Sequence, residues 1–144
     1  MNNFPIEESY GIIPFRFEAD KLQFLVVRHH QGHWGFPKGR CEEGEAPVET
    51  ARRELREEVA LTEVTLLNDS PFKLSYPFER EGKIWQKEVG FFVGSVNAGV
   101  PKHLETELVE HRWATKDALT ELLPPEGVHL AKLAAIIVAE TGAR

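Results

Sequence analysis

The residues best suited to chemistry lie between Gly39 and Leu61. The run Gly39-Arg40-Cys41-Glu42-Glu43-Gly44-Glu45 is followed, after seven positions, by Arg53-Glu54-Leu55-Arg56-Glu57-Glu58. On a helix beginning at Pro47 and ending at Val59, each residue advances about 100°. Glu54, Glu57 and Glu58 then share one face, within an arc of roughly 100°. Carboxylates at i,i+4 repel one another, at a cost of a few tenths of a kcal/mol even when exposed. A magnesium ion removes that penalty, because it is a hard cation that takes carboxylate oxygens, waters and substrate phosphates. The opposite side of the helix, Val48, Ala51, Leu55 and Val59, is an apolar stripe for a core. The chemistry implied is a divalent metal held against a phosphate chain.

Those side chains need a scaffold. Residues 9–17 (SYGIIPFRF) read as a strand and 18–21 as a turn. Residues 22–28 (LQFLVVR) form a second strand, whose apolar run implies burial on both faces. A glycine-rich loop covers 29–45, and Pro47 suits a first helical position, where its missing N–H costs nothing. Beyond the helix, 63–67 reads as a short strand, 72–76 and 83–96 as two strands around Glu81-Gly82, and 107–113 as a last strand. Thr115 caps a helix through Leu123. The run 124–127 (PPEG) breaks it, and 128–141 forms a terminal helix that is apolar nearly all round. Strands interleaved with helices over 144 residues imply one α/β domain spanning 1–144.

Composition narrows the function class. The chain is 42% hydrophobic and 28% charged, ordinary for a soluble protein. No stretch approaches the roughly 18 apolar residues of a membrane helix. The N-terminus has neither the basic start nor the apolar run of a secretory signal. A single cysteine excludes an internal disulfide framework, and the cytoplasm is the expected location. A formal net charge of −6 argues against sequence-independent binding to duplex nucleic acid. A phosphorylated small molecule stays open, because a bound metal supplies positive charge locally.

The spacing glycine, five residues, glutamate, seven residues, then Arg-Glu-aliphatic-x-Glu-Glu-x-Gly-aliphatic is the signature of the Nudix hydrolases. The chain resembles that family through Gly39, Glu45, Arg53, Glu54, Leu55, Glu57, Glu58 and Leu61, so its Nudix box is 39–61. Ala60 departs, standing where the family usually has glycine. That glycine would end the helix in a left-handed conformation, which costs any other residue about 1–2 kcal/mol. A strained or differently shaped exit turn is expected, with the metal face unaffected. The resemblance implies an α/β/α sandwich with a mixed β-sheet and a loop-helix-loop catalytic motif. It implies Glu54, Glu57 and Glu58 as ligands of Mg²⁺, for which Mn²⁺ could substitute. Arg53 would fix the carboxylates through a salt bridge, and Gly39 and Glu45 would be structural, with Glu45 bracing the loop.

Residues outside the box choose the substrate. Four local matches, in order, resemble the asymmetrically cleaving diadenosine tetraphosphate hydrolases. They are Trp34-Gly35-Phe36-Pro37-Lys38-Gly39, Phe72-Lys73-Leu74-Ser75-Tyr76, Lys87, and Glu107 with Val109-Glu110-His111-Arg112-Trp113 behind it. By this resemblance Tyr76 stacks on an adenine, and Lys38 and Lys87 contact phosphates. Glu107 is a further metal ligand or the general base, and His111 stands where the family often has a second stacking tyrosine. Each has a plainer reading as well: a strand tyrosine packed on its neighbours, ordinary exposed lysines, a solvent-facing glutamate. Pro77 adds an alternative, since some ADP-ribose pyrophosphatases of the family carry a proline about this far beyond the box.

The expected reaction is conversion of diadenosine tetraphosphate to ATP and AMP by a monomer or small homo-oligomer. The partner is a nucleotide, with neither duplex nucleic acid nor membrane involved. Alternatives within the enzyme class are ADP-ribose, a modified nucleoside triphosphate and the 5′ triphosphate end of RNA. From a different class comes a Nudix-like sensor that binds without hydrolysing, against which the complete Arg53, Glu54, Glu57 and Glu58 set speaks. A structural calcium site would need an Asp/Asn-rich loop with a central glycine. His29, His30 and His33 lack spacing that supports zinc. Cys41 sits at a variable position of the box, and Trp34 and Trp113 read as packing residues.

Overall fold

The computed structural model describes residues 4–30, 32–104 and 108–143. Two long strands, β1 (Ile6–Glu18) and β2 (Lys21–His29), pair antiparallel around Ala19-Asp20. Both turn residues have positive φ, 50° and 66°, the backbone that lets a two-residue hairpin follow the strand twist. β1 is longer than the expected 9–17 because its polar start is recruited by pairing: Ile6 to Ser9 run parallel to Gln86 to Val89 of β7 (Lys83–Val96).

β6 (Phe72–Arg80) folds back on β7 through Glu81-Gly82, again with positive φ at both residues. It continues through Pro77, past the expected 72–76. Its pairing is with β7, and an edge strand tolerates a proline. Among the described residues, the remaining strands complete a mixed sheet of eight. β5 (Val64–Leu66) pairs with β7, and β8 (Leu108–Thr115) with β2. β3 (Trp34–Gly35) and β4 (Lys38–Arg40) pair with β2 and β1 inside a stretch that reads as loop in the sequence.

The sheet buries both faces, as the apolar run of β2 implies; Phe24, Leu25, Val26 and Val27 are fully buried. Tyr10, Ile12, Leu25, Val27 and Phe92 pack against Ala51, Leu55 and Val59 of α1 (Pro47–Val59). The alternate residues, among them Ile13, Phe15, Phe24 and Val26, pack against the other helical layer. That layer is α2 (Lys116–Leu122) and α3 (Pro125–Thr141), and the result is the α/β/α sandwich. Thr115 caps α2, accepting the Ala118 N–H at 3.3 Å. α3 starts earlier than expected, because Pro125 begins the helix instead of breaking it. No helix among the described residues is long and apolar enough to cross a membrane.

Candidate active site

The box is built around α1. Ala46 precedes it without a capping side chain, and its own N–H is taken by Glu49 Oε1 at 2.8 Å, half of a capping box. The helix ends at Ala60 with φ 63° and ψ 27°. The exit turn therefore keeps the left-handed shape a glycine would adopt, and the alanine carries the strain. The chain then returns over this end, where Lys102 and Leu104 each donate a backbone N–H at 2.9 Å to the carbonyls of Val59 and Glu58. Those bonds satisfy acceptors that a helix C-terminus leaves open.

Arg53 organises the acidic face. Its Nε and Nη2 grip the two oxygens of Glu45 at 2.7 and 3.0 Å. Its Nη1 reaches Glu54 Oε1 and Glu57 Oε2, both at 3.1 Å, and Nη2 also donates to the Arg40 carbonyl at 2.9 Å. Such a planar fork suits paired carboxylates in a way a lysine cannot match. Glu45 also accepts the Glu42 N–H at 2.9 Å and the Thr50 hydroxyl at 2.8 Å. The Arg53 hydrogen bonds first, and the Glu42 N–H second, push its pKa down to about 2. Arg53 in turn binds its proton more tightly, chiefly through Glu45.

Gly39 explains how Glu54 fits. It pairs with Tyr10 on the α1 face of the sheet, and a Cβ built there would fall on the Glu54 carboxylate. Glu58 is one of the few buried charged residues, at 4% exposure, and accepts the Lys38 N–H through Oε2 at 3.1 Å. These residues line a cleft of about 340 Å³ together with His29 and Leu108. Lys38 also lines it, its side chain exposed as a whole while the cleft walls desolvate the ammonium. That desolvation first, and the charge of Lys87 second, lower its pKa against the pull of Glu58, Glu7 and Glu54.

The donor set is carboxylate oxygen throughout, which fits a hard divalent cation such as Mg²⁺. Of Glu54, Glu57 and Glu58, Glu57 is the most exposed, with 44% of its side chain accessible. Among the described residues no three His, Cys, Asp or Glu side chains form a ready-made metal cluster. Arg53 instead bridges Glu54 and Glu57 and offsets their repulsion.

The outer residues are distributed unevenly. Lys87 is buried, with Nζ donating to Glu7 Oε1 at 2.5 Å and Ser9 Oγ at 2.7 Å. Tyr76 sits opposite Lys87 across the β6–β7 hairpin and is 47% exposed. Partial burial first, then the charges of Glu7 and Glu126, raise its pKa. His111 pairs with Val27, hence on the α1 face, and its Nδ1 lies 2.8 Å from His103 Nδ1. Burial first, then His103, lower its pKa against Glu110. Strand alternation keeps Tyr76 on the face of Phe72 and Leu74, which pack on the α3-side core. The structure thus brings Gly39, Lys38, Glu45, Arg53, Glu54, Glu57 and Glu58 together and leaves Tyr76 and His111 on opposite faces of the sheet. Glu107 lies outside the described residues. Cys41 directs its thiol to the Glu45 carbonyl at 3.4 Å, the His29 and His33 rings stack at 5.0 Å, and Trp34 and Trp113 pack against the two core clusters.

Sequence reasoning misses the group around Glu7. This carboxylate meets Lys87, Arg80 at 2.7 Å and Arg40 at 3.3 Å. Burial alone would raise its pKa, but hydrogen bonds from Lys87 and Arg80 and the neighbouring charges outweigh it, so the pKa is lowered. The one signal available is a glutamate and a serine leading into an otherwise apolar strand.

Known proteins resemble this chain in sequence and in fold. An RNA pyrophosphohydrolase of Caulobacter vibrioides is 34% identical, the match covering 83% of this chain and 80% of that protein. One from Pelagibacter ubique is 25% identical over 90% of this chain and 89% of its own. Among solved structures, a C. elegans Ap4A hydrolase in a binary complex superposes with a TM-score of 0.82 at 25% identity, covering 93% of this chain and 98% of its own. The NUDIX domain of Shewanella oneidensis NrtR, complexed with ADP ribose, shares the fold at a TM-score of 0.73 and 14% identity, covering 94% and 88%. The NUDIX domain matches residues 7–135. With the acidic helix, its arginine and its glycine in place, this chain belongs to the Nudix family, whose members hydrolyse nucleotide phosphoanhydrides with the help of divalent metal.

Proposed function

We propose that this protein hydrolyses diadenosine tetraphosphate asymmetrically, to ATP and AMP, as a Mg²⁺-dependent enzyme. The observation that carries the reading is the Arg53 network, which ties Glu45, Glu54 and Glu57 to one guanidinium, beside a cleft that Arg53, Glu54 and buried Glu58 line. In this reading Glu54, Glu57 and Glu58 hold Mg²⁺, or Mn²⁺ in its place. Bound there, the metal neutralises phosphate charge, lowers the pKa of attacking water and stabilises the leaving oxygen. Arg53 keeps the carboxylates spaced, and Glu45 keeps Arg53 aimed. Lys38 reaches the phosphates as a point charge, Lys87 braces the strand behind them, and Glu107 takes the proton of water or adds a ligand. Tyr76 offers an exposed ring to an adenine, and base stacking of this kind contributes about 1–3 kcal/mol. His111 lies on the α1 face with the acidic cleft and offers the smaller of the two candidate stacking rings. The likeness to the C. elegans Ap4A hydrolase supports this substrate.

A second reading, the 5′ triphosphate end of RNA, is favoured by the relatives named RNA pyrophosphohydrolase. Product chromatography separates the readings. Diadenosine tetraphosphate, a 5′-triphosphorylated oligoribonucleotide and ADP-ribose are each incubated with Mg²⁺ and with chelator. Equal ATP and AMP from the first, lost with chelator, is the expected result. Pyrophosphate from the RNA alone transfers the assignment to the second reading. Ribose phosphate and AMP from ADP-ribose alone returns weight to Pro77. Binding without turnover of any of them overturns the catalytic reading in favour of a sensor.

A further inference from the structure

We propose that a second cleft, beside the loop 41–45, is a subsite for a nucleoside tethered to the reacting phosphates, with Trp85 as its stacking surface. The inference rests on the phosphoanhydride reading above. The cleft measures about 450 Å³ and is walled by Trp85, Arg80, Glu7 and the loop from Arg40, within the size range of small-molecule sites. Arg40 and Glu42 line both this cleft and the acidic one. The two spaces therefore adjoin at these residues, and in this proposal a phosphate chain crossing Arg40 delivers whatever it carries into the second.

Trp85 is half-buried and held by its neighbours, Lys83 Nζ among them at 5.6 Å from the indole centroid. The Phe78 ring stacks alongside it, centroids 6.5 Å apart and planes 26° from parallel. The Arg80 guanidinium lies 5.4 Å from the indole centroid and is itself pinned to Glu7 at 2.7 Å. A ring held this way loses little freedom when a base stacks on it. The cleft is also lined by Glu8 and Glu43, whose carboxylate oxygens are hydrogen-bond acceptors. They receive the N–H groups of a base or the hydroxyls of a ribose and repel further phosphate. A flat, uncharged, donor-bearing group on a phosphate tether is a nucleoside. It has two sources, the second adenosine of a dinucleoside polyphosphate or the nucleotide following the 5′ residue of an RNA.

The test compares kcat/KM for diadenosine tetraphosphate and adenosine 5′-tetraphosphate, which share a phosphate chain and differ by one nucleoside. Wild type is set against Trp85→Leu, which keeps an apolar contact with Phe78 and removes the stacking face, and Trp85→Phe, which keeps a smaller ring. The preference for the dinucleoside should fall about tenfold in Trp85→Leu, mainly through KM, and recover partly in Trp85→Phe. The same comparison on a 5′-triphosphorylated dinucleotide and ATP forms the second arm, and a fall confined to that arm assigns the subsite to RNA. Ratios unmoved in both arms overturn the proposal. Should wild type cleave none of these substrates, the phosphoanhydride reading fails by itself. Quenching of tryptophan fluorescence still decides the cleft: quenching selective for the dinucleoside and lost in Trp85→Leu supports it, and equal quenching by both ligands overturns it.

Discussion

Gly39 and Glu54 occupy one another's space: the carboxylate of the helix lies where the side chain of the strand residue would begin. Two independent geometries meet there. Pairing with Tyr10 turns position 39 toward α1, and helical spacing places Glu54 on the same side as Glu57 and Glu58. Gly39→Ala should displace Glu54 without unfolding the protein, since the atoms struck belong to the end of a flexible side chain. Misplacement by about 1 Å costs on the order of 10²-fold in rate. Turnover measured beside a thermal melt checks this, and a fully active variant would refute the packing argument.

Glu57→Gln and Glu58→Gln should each lower kcat by about 10²-fold or more, the scale of losing one preorganised electrostatic group. The fold should persist, because the Glu58→Gln amide oxygen can still accept the Lys38 N–H. Mg²⁺ titrations of activity and circular dichroism read the two effects separately. Full activity in both variants would sink the metal assignment.

The Glu45–Arg53 pair predicts an acid-dependent contribution to stability. The pKa of Glu45 is depressed from an ordinary 4.5 to about 2. A depressed carboxylate stabilises the folded state above its unfolded pKa, and that contribution is lost as pH falls through the folded value. Wild type should therefore exceed Glu45→Gln in urea unfolding at neutral pH, and the gap should close as pH drops from 4.5 toward 2. A gap independent of pH would show that the carboxylate charge is not what braces the loop.

Ala60 sits at φ 63°, where a glycine relieves about 1–2 kcal/mol of strain and gives part of it back as unfolded-state entropy. Ala60→Gly should raise the melting temperature by about 1–4 °C and leave kcat unchanged. A lowered melting temperature would mean that the left-handed turn is not strained in this chain.

The helix over Pro47–Val59, its acidic face and the buried Ala51, Leu55 and Val59 of its apolar stripe were legible in the sequence. Val48 at the helix start is exposed instead, and the sequence leaves the exit at Ala60 open between a strained and an altered turn. The legible features depend on contacts three or four residues apart, and helix geometry determines these whatever the rest of the chain does. The buried run of β2, the cap at Thr115 and the turn at Glu81-Gly82 were legible for the same local reason. The partnership of Glu7 with Lys87, 80 residues apart, was not, because the parallel pairing of β1 with β7 leaves no turn between them to announce it. Nor was the opposition of Tyr76 and His111, since a strand reverses its faces with a slip of one residue and only the paired register decides which way each points. The sequence by itself determined which carboxylates share the acidic face and their order along one helix. The tertiary structure decided what faces them, because strand register and sheet order join residues that no local periodicity connects.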